Sequence, residues 1–206
     1  MATSIDWYFD FVSPYSYICL HRLDEIPDAR FTYKPVLFAG LLNHWGQKGP
    51  AEIPAKRKWT YRWCTWWARQ LGITFRFPAL HPFNPLPYLR LAIAAGSTER
   101  AVRRIFEVLW TTGDDALHER RFDALCTEFG VDAAGLEAAK ETLRKITSDA
   151  AGRGVFGVPS FVIDGEVFWG ADAVDFLKAF VADEAVIRNE EMRRVDNLPV
   201  GAARKT

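Results

Sequence analysis

The sequence predicts an α/β fold: a four-stranded mixed sheet with helices on both faces, interrupted by a long all-helical insertion. Three observations carry this. From Ser4 to Phe11 polar and apolar residues alternate with the period of a strand, and the run ends in a helix-start signal at Ser13-Pro14. Near the other end, Ser160–Ile163 and Glu166–Trp169 flank Asp164-Gly165, a strong hairpin turn pair. Between these flanks the chain reads as helix after helix.

Taken in order, Ile5, Trp7, Phe9 and Phe11 point to one face of the first strand, and Ser4, Asp6, Tyr8 and Asp10 to the other. Ser13 offers an N-cap oxygen, and Pro14 suits the first helical position, where its missing N–H would be unpaired anyway. The helix begun there is expected to reach about Glu25, stopped by Pro27. Phe31–Leu37 reads as a second strand, with Pro35 marking its end or a sheet edge. Such a strand-helix-strand unit is normally parallel and right-handed. Helices are then expected over Ala39–Trp45, Pro54–Leu71, Leu86–Ala95, Ser97–Trp110, Glu119–Phe129 and Ala133–Ala151, with loops at Gly46–Pro50 and Pro78–Pro87. Trp59, Trp63, Trp66 and Trp67 fall at helical spacing and read as core positions. A last helix spans Ala171–Val181, and from Asn189 the tail is charged and poorly periodic. The expected division is a discontinuous core over 1–38 and 153–184, an inserted helical domain over 39–152, and a tail over 185–206.

The 206 residues carry 26 Lys and Arg against 26 Asp and Glu, so no net charge draws the chain to nucleic acid or an anionic membrane. No apolar run approaches the length of a spanning helix. The N-terminus shows neither the basic nor the apolar region of a signal peptide. Cys19, Cys64 and Cys126 form no CxxC pair, which argues against a disulfide framework or a zinc site and fits a reducing, cytoplasmic compartment. His21, His44, His81 and His118 match no metal-ligand spacing.

The chemistry starts at Ser13. Unpaired N–H groups and the positive end of a helix dipole meet at a strand-to-helix junction, which favours an anion: a thiolate, a carboxylate or a phosphate. Val158-Pro159, just before the hairpin, is expected to be cis, with the Val158 N–H and C=O facing that junction and open to pairing with an extended peptide.

Three motifs, Phe9-Asp10-Phe11-Val12-Ser13-Pro14-Tyr15-Ser16, Phe156-Gly157-Val158-Pro159 and Phe168-Trp169-Gly170-Ala171-Asp172, span both halves of the core in that order. Through them the chain resembles the DsbA-like thioredoxin-fold family. Within it, the chain is similar to 2-hydroxychromene-2-carboxylate isomerases and kappa-class glutathione transferases, over nearly its whole length to about Val181. The resemblance implies a thioredoxin-like core with the helical block inserted. Redox members of that fold carry CxxC where this chain has Ser13-Pro14-Tyr15-Ser16, so no sulfur is present for dithiol exchange. A serine hydroxyl can instead donate to a glutathione thiolate, whose pKa a helix N-terminus lowers.

The resemblance therefore implies glutathione as cofactor and Ser13 as the catalytic residue. It places Val158 and Pro159 against the peptide, and Trp169, Gly170, Ala171 and Asp172 at the γ-glutamyl end. Asp172 reads alternatively as a carboxylate serving only its helix start. Ala173 stands where relatives often have Arg. Tyr15 and Trp45 are candidates for an aromatic-substrate pocket. Lys56, in the run Lys56-Arg57-Lys58, is either a carboxylate ligand or part of a solvated helix face. Asn84 either hydrogen-bonds a substrate oxygen or starts a turn before Pro85.

The activity implied is conversion of 2-hydroxychromene-2-carboxylate, or a similar aromatic ring-cleavage product, to trans-o-hydroxybenzylidenepyruvate through a transient glutathione adduct. Its setting would be naphthalene-type catabolism, in a cytoplasmic homodimer acting on a small aromatic substrate. The alternatives are a kappa-like transferase conjugating electrophiles, and a non-catalytic thioredoxin-fold binding protein.

Overall fold

The computed structural model describes residues 2–202. Strand β1 (Thr3–Phe9) runs into helix α1 (Pro14–Leu20), and β2 (Ala29–Pro35) returns parallel to β1. Helices α2 (Phe38–Trp45), α3 (Pro54–Gln70), α4 (Leu86–Ala94), α5 (Glu99–Trp110), α6 (Glu119–Phe129) and α7 (Ala133–Gly152) follow. The hairpin of β3 (Ser160–Ile163) and β4 (Glu166–Trp169) then leads to α8 (Val174–Ala182) and α9 (Glu190–Asp196). The described strands form one mixed sheet in the order β2-β1-β3-β4, with β3 antiparallel to β1. The expected thioredoxin-like core, split by its helical block, is what the chain forms.

The alternation in β1 explains why it is central. Ile5, Trp7 and Phe9 are fully buried on one face, continued by Phe11 beyond the strand, with Phe106 and Trp110 of α5 in the same cluster. Stacking of Trp7 on Phe9 and edge contact of Phe9 with Phe11 make this an aromatic spine. Tyr8, on the other face, packs in a smaller cluster with Val36, Leu41 of α2 and Ala150 of α7. Both faces of the sheet are thus covered by helices.

Several boundaries differ from those expected. Helix α1 ends at Leu20 rather than near Glu25, and a 3-10 turn covers Leu23–Glu25. Arg22 is the reason: its guanidinium is drawn inward to the Ala171 carbonyl at 2.9 Å while it also grips Glu25. Strand β2 starts two residues earlier than expected and stops at Pro35, as an edge strand permits. Residues Ala171–Ala173 make a 3-10 turn before α8. The tail is more ordered than its pattern suggested, because Asn189 caps α9 by accepting the Met192 N–H at 2.9 Å. Residues 203–206 of the expected tail lie outside the described residues.

The α3 tryptophans also correct the reading. Its buried stripe is Thr60, Cys64 and Ala68, so Trp59 and Trp66 face outward at 65% and 51% exposure. Helical spacing identified one face but not which face the core would take.

The insertion fastens the end of β1. Trp110, fully buried, donates its indole N–H to the Phe11 carbonyl at 2.9 Å. Replacing Trp110 by Phe removes ring volume and leaves that buried carbonyl unpaired. Urea unfolding of Trp110→Phe is expected to show a loss of about 2–4 kcal/mol. A loss under about 1 kcal/mol would show the fastening to be unimportant.

Candidate active site

Ser13 ends the turn that leaves β1. Its backbone is extended (φ −89°, ψ 114°), its N–H donates to the Asp10 carbonyl at 3.0 Å, and its Oγ accepts the Ser16 N–H at 3.1 Å. As a cap acceptor, the hydroxyl keeps its own proton to donate elsewhere. Ser16, by contrast, has a fully buried Oγ with no partner among the described residues and is absent from the cavity lining. The Tyr15 N–H, an orphan of the first helical turn, also has no partner among the described residues.

Ser13 opens on a cavity of about 440 Å³. Val12, Pro14 and Tyr15 form its floor beside Ser13, and Phe38 and Leu42 of α2 one wall. Lys56, Thr60 and Tyr61 of α3 face them, while His81, Pro82 and Phe83 close the side. Phe156, Gly157, Val158 and Trp169 complete the rim. The Val158-Pro159 bond is cis, and so is His81-Pro82. Neither the Val158 N–H nor its C=O has a hydrogen-bond partner among the described residues. The Trp169 indole lies tilted on Phe156, with centroids 5.1 Å apart, and covers Gly157 so closely that a Cβ there would sit 2.5 Å from its Nε1.

Asp10 lies beneath this cavity, fully buried. Its Oδ1 accepts the Val12 N–H at 3.1 Å and its Oδ2 the Phe38 N–H at 2.8 Å, tying β1 to the start of α2. Burial pushes the carboxyl up to about 7, against the pull of the Phe38, Val12 and Phe11 N–H groups. His81 donates from Nε2 to the Val12 carbonyl at 2.7 Å, and its Nδ1 lies 2.7 Å from the Tyr61 hydroxyl. Burial lowers its pKa, partly offset by the Val12 bond. Burial also holds the Tyr15 phenol up at about 12, beside Cys64 and Thr60.

Of the residues expected from sequence, Ser13, Tyr15, Lys56, Val158 and Trp169 line one cavity. Lys56 and Lys48 stand there without an ion-pair partner among the described residues. Pro159 sits behind Val158 and accepts the Gly170 N–H at 2.9 Å. Gly170, Ala171 and Asp172 lie past Trp169, off the cavity lining. Asp172 is near enough to Tyr15 to help raise its pKa, and the Ala171 and Asp172 N–H groups have no partners among the described residues. Gly170 holds φ at +103°, a region glycine tolerates.

Two expectations fail. Trp45 is outside the cavity: its indole N–H donates to the Val155 carbonyl at 3.0 Å, which turns the ring away to brace α2 against the chain before Phe156. Asn84 is exposed, lies off the cavity lining and accepts the Leu86 N–H at 3.1 Å, so it starts the turn into α4. Asp10, Lys48, Tyr61 and His81 were missed as chemistry. An acid between Phe9 and Phe11 at the end of a core strand was the one available signal for Asp10. Another cleft, of about 780 Å³, opens between α1 and α5, but its Arg22, Arg103 and Arg104 are paired with Glu25, Asp24 and Glu107, and Ser13 is not part of it.

Comparison with known proteins agrees with this fold. The model of the DSBA-like thioredoxin domain matches residues 4–182. The chain belongs to the DSBA-like thioredoxin family. It is 29% identical to a 2-hydroxychromene-2-carboxylate isomerase of Sphingobium xenophagum, over 89% of this chain and all of that one. It is 27% identical to glutathione S-transferase kappa 2 of Caenorhabditis elegans, over 87% and 92%. A solved 2-hydroxychromene-2-carboxylate isomerase superposes with a TM-score of 0.74 at 24% identity, covering 92% of this chain and 98% of that one, which supports the fold.

Asp10 makes stability depend on pH. Because its folded pKa is raised, the folded form keeps a proton that the unfolded chain releases above about 4, so stability falls as pH rises from about 4 to about 7 and then levels off. The Asp10 carboxyl carbon, followed by 13C NMR, is expected to titrate near 7, and Asp10→Asn to flatten that slope in urea midpoints. A carboxyl midpoint below 5 would contradict the burial.

Proposed function

We propose that this protein is a glutathione-dependent isomerase of a 2-hydroxychromene-2-carboxylate-like substrate. The observation that carries the reading is the convergence, at one aromatic-walled cavity, of a serine hydroxyl with a free proton and, among the described residues, an unpaired Val158 backbone and two unpaired lysines. These groups fit a thiol tripeptide. Val158 can pair with its extended backbone as an added strand would, and the Ser13 O–H and Tyr15 N–H can meet its sulfur. When bound, glutathione would supply a thiolate nucleophile suited to reversible addition at a conjugated double bond, the chemistry that a cis–trans change about that bond needs.

The chain's residues do the rest. Ser13 donates to the sulfur and keeps it anionic near neutral pH. Phe38, Phe83 and Phe156 exclude water and stack a flat ring. Lys56, with Lys48 beside it, holds the substrate carboxylate, and the free N–H groups of Ala171 and Asp172 suit the γ-glutamyl carboxylate. The names of the curated relatives support this class of reaction and this cofactor. A cytoplasmic homodimer completes the proposal, supported by three unpaired cysteines and by the exposed tryptophan stack of α3, a surface a second copy can cover.

Ring opening of the chromene with total glutathione unchanged is the expected result. Glutathione consumed on chlorodinitrobenzene without isomerisation would make the protein a transferase instead. Ser13→Ala is expected to lower turnover at least tenfold while the chain stays folded, the lost cap costing about 1 kcal/mol, whereas Ser13→Thr retains most activity. Unchanged turnover in Ser13→Ala removes the hydroxyl from the mechanism.

A further inference from the structure

Tyr61 and His81 form a closed hydrogen-bonded unit beside Ser13. The Tyr61 hydroxyl lies 2.7 Å from His81 Nδ1 and 2.7 Å from the His81 carbonyl, and His81 Nε2 lies 2.7 Å from the carbonyl of Val12, the residue before Ser13. A carbonyl only accepts, so Nε2 carries a proton. In the neutral ring Nδ1 is then bare and accepts from Tyr61. In the charged ring Nδ1–H donates to Tyr61, whose own proton turns to the His81 carbonyl. The charged ring therefore fills both contacts of Tyr61, whereas in the neutral ring its one proton serves either Nδ1 or the His81 carbonyl, and the change needs no heavy atom to move. The imidazole is boxed by Tyr61, Phe77, Phe83 and Trp110, which fixes its plane. Tyr61 and His81 both line the cavity.

We propose that Tyr61 and His81 act as a proton relay for the substrate, Tyr61 touching it and His81 storing the proton. This rests on the isomerase reading above. A 2-hydroxychromene is a cyclic hemiketal, and opening it needs one proton removed from its hydroxyl and one delivered to the departing phenol oxygen. The substrate hydroxyl gives its proton to the Tyr61 oxygen as the Tyr61 proton passes to Nδ1. The ring C–O bond breaks as the ketone forms, and the proton returns from Nδ1 through Tyr61 to the phenolate. Protons balance and no electrons are exchanged.

The charged groups around the relay are few. Arg57 lies one turn before Tyr61 on α3 and lowers the phenol's pKa against the burial that raises it. Lys56, Lys48, Glu52 and Asp10 line the same cavity, while Phe77, Phe83 and Trp110 present no charge. Burial keeps His81 neutral at neutral pH, the state that receives the proton.

The test has one arm without ligand and one with it. In the free protein, NMR of the imidazole nitrogens should show Nε2 protonated throughout. The Tyr61 Cζ shift should titrate with the midpoint of His81 and cease to do so in His81→Gln. Gln can still donate to Val12 and accept from Tyr61 but cannot store a proton. His81→Gln and Tyr61→Phe are therefore expected to stay folded and to bind glutathione within twofold of the parent by calorimetry. Each is expected to lose at least tenfold in kcat with KM changed less than threefold. A Tyr61 Cζ that ignores His81, or full kcat in either variant, overturns the relay. A parent protein that opens no chromene overturns the isomerase reading and the relay with it, whereas an active parent beside an equally active Tyr61→Phe overturns the relay alone.

Discussion

The turn from Phe11 to Ser13 is held by groups that come from every side of it. Trp110 takes the Phe11 carbonyl, His81 the Val12 carbonyl, and Asp10 the Val12 N–H. The Phe11 carbonyl is buried and the Val12 groups half-buried, and leaving a buried one unpaired costs about 1–3 kcal/mol. The turn therefore has one low-energy arrangement, and Ser13 points where that arrangement sends it. Two of the three partners belong to the helical insertion, so the site exists only when the insertion is docked on the core. The placement of Ser13 and the packing of the two parts are the same constraint.

That constraint shapes the electrostatics. The carboxyl of Asp10 sits close to where an anion would bind, which would oppose a thiolate if it were charged. Its burial and its raised pKa leave it largely neutral below about 7, while two backbone N–H groups already occupy its oxygens. A lysine pair at the cavity and the first-turn N–H groups of α1 supply the opposite field. A helix of seven residues adds little beyond these local donors, so hydrogen bonds at Ser13 and Tyr15 weigh more than the dipole of the whole helix.

The strand pattern of β1, the cap at Ser13-Pro14 and the hairpin at Asp164-Gly165 were legible because each is a local signal with a local cause. So was the cis bond at Val158, given the order of the elements. What the sequence hid is non-local. Tyr61 and His81 are twenty residues apart and meet only because α3 and the following loop fold back on each other. Asp10 reads as one more polar residue of an alternating strand until Phe38 covers it. Trp45 and Asn84 were plausible ligands by type, but the Trp45 indole N–H is taken by the Val155 carbonyl and the Asn84 Oδ1 by the Leu86 N–H, and neither residue lines the cavity. The tryptophans of α3 show the same limit, because a helix carrying an aromatic stripe and a small-residue stripe can bury either one, and here Thr60, Cys64 and Ala68 allow closer approach.

The core and the insertion contribute different things. Ser13, Tyr15 and Val158 would serve any thiol-bearing ligand that lays its backbone against the sheet edge, so they say little about what is done to a second molecule. The groups able to do chemistry on that molecule, Lys56, Tyr61 and His81, all come from the insertion. They are placed by α3 and by the loop before α4 rather than by the sheet. None of those three is among the residues of the buried apolar cluster around Trp7, Phe9 and Phe11, although His81 rests on its Trp110 and is bonded to the Val12 carbonyl. A common core with an insertion of this kind can therefore hold one cofactor while its walls select isomerisation or conjugation. In this chain the wall carries a histidine bonded directly to the peptide that precedes Ser13, which in the proposed reaction would couple the proton relay to the residue facing the sulfur.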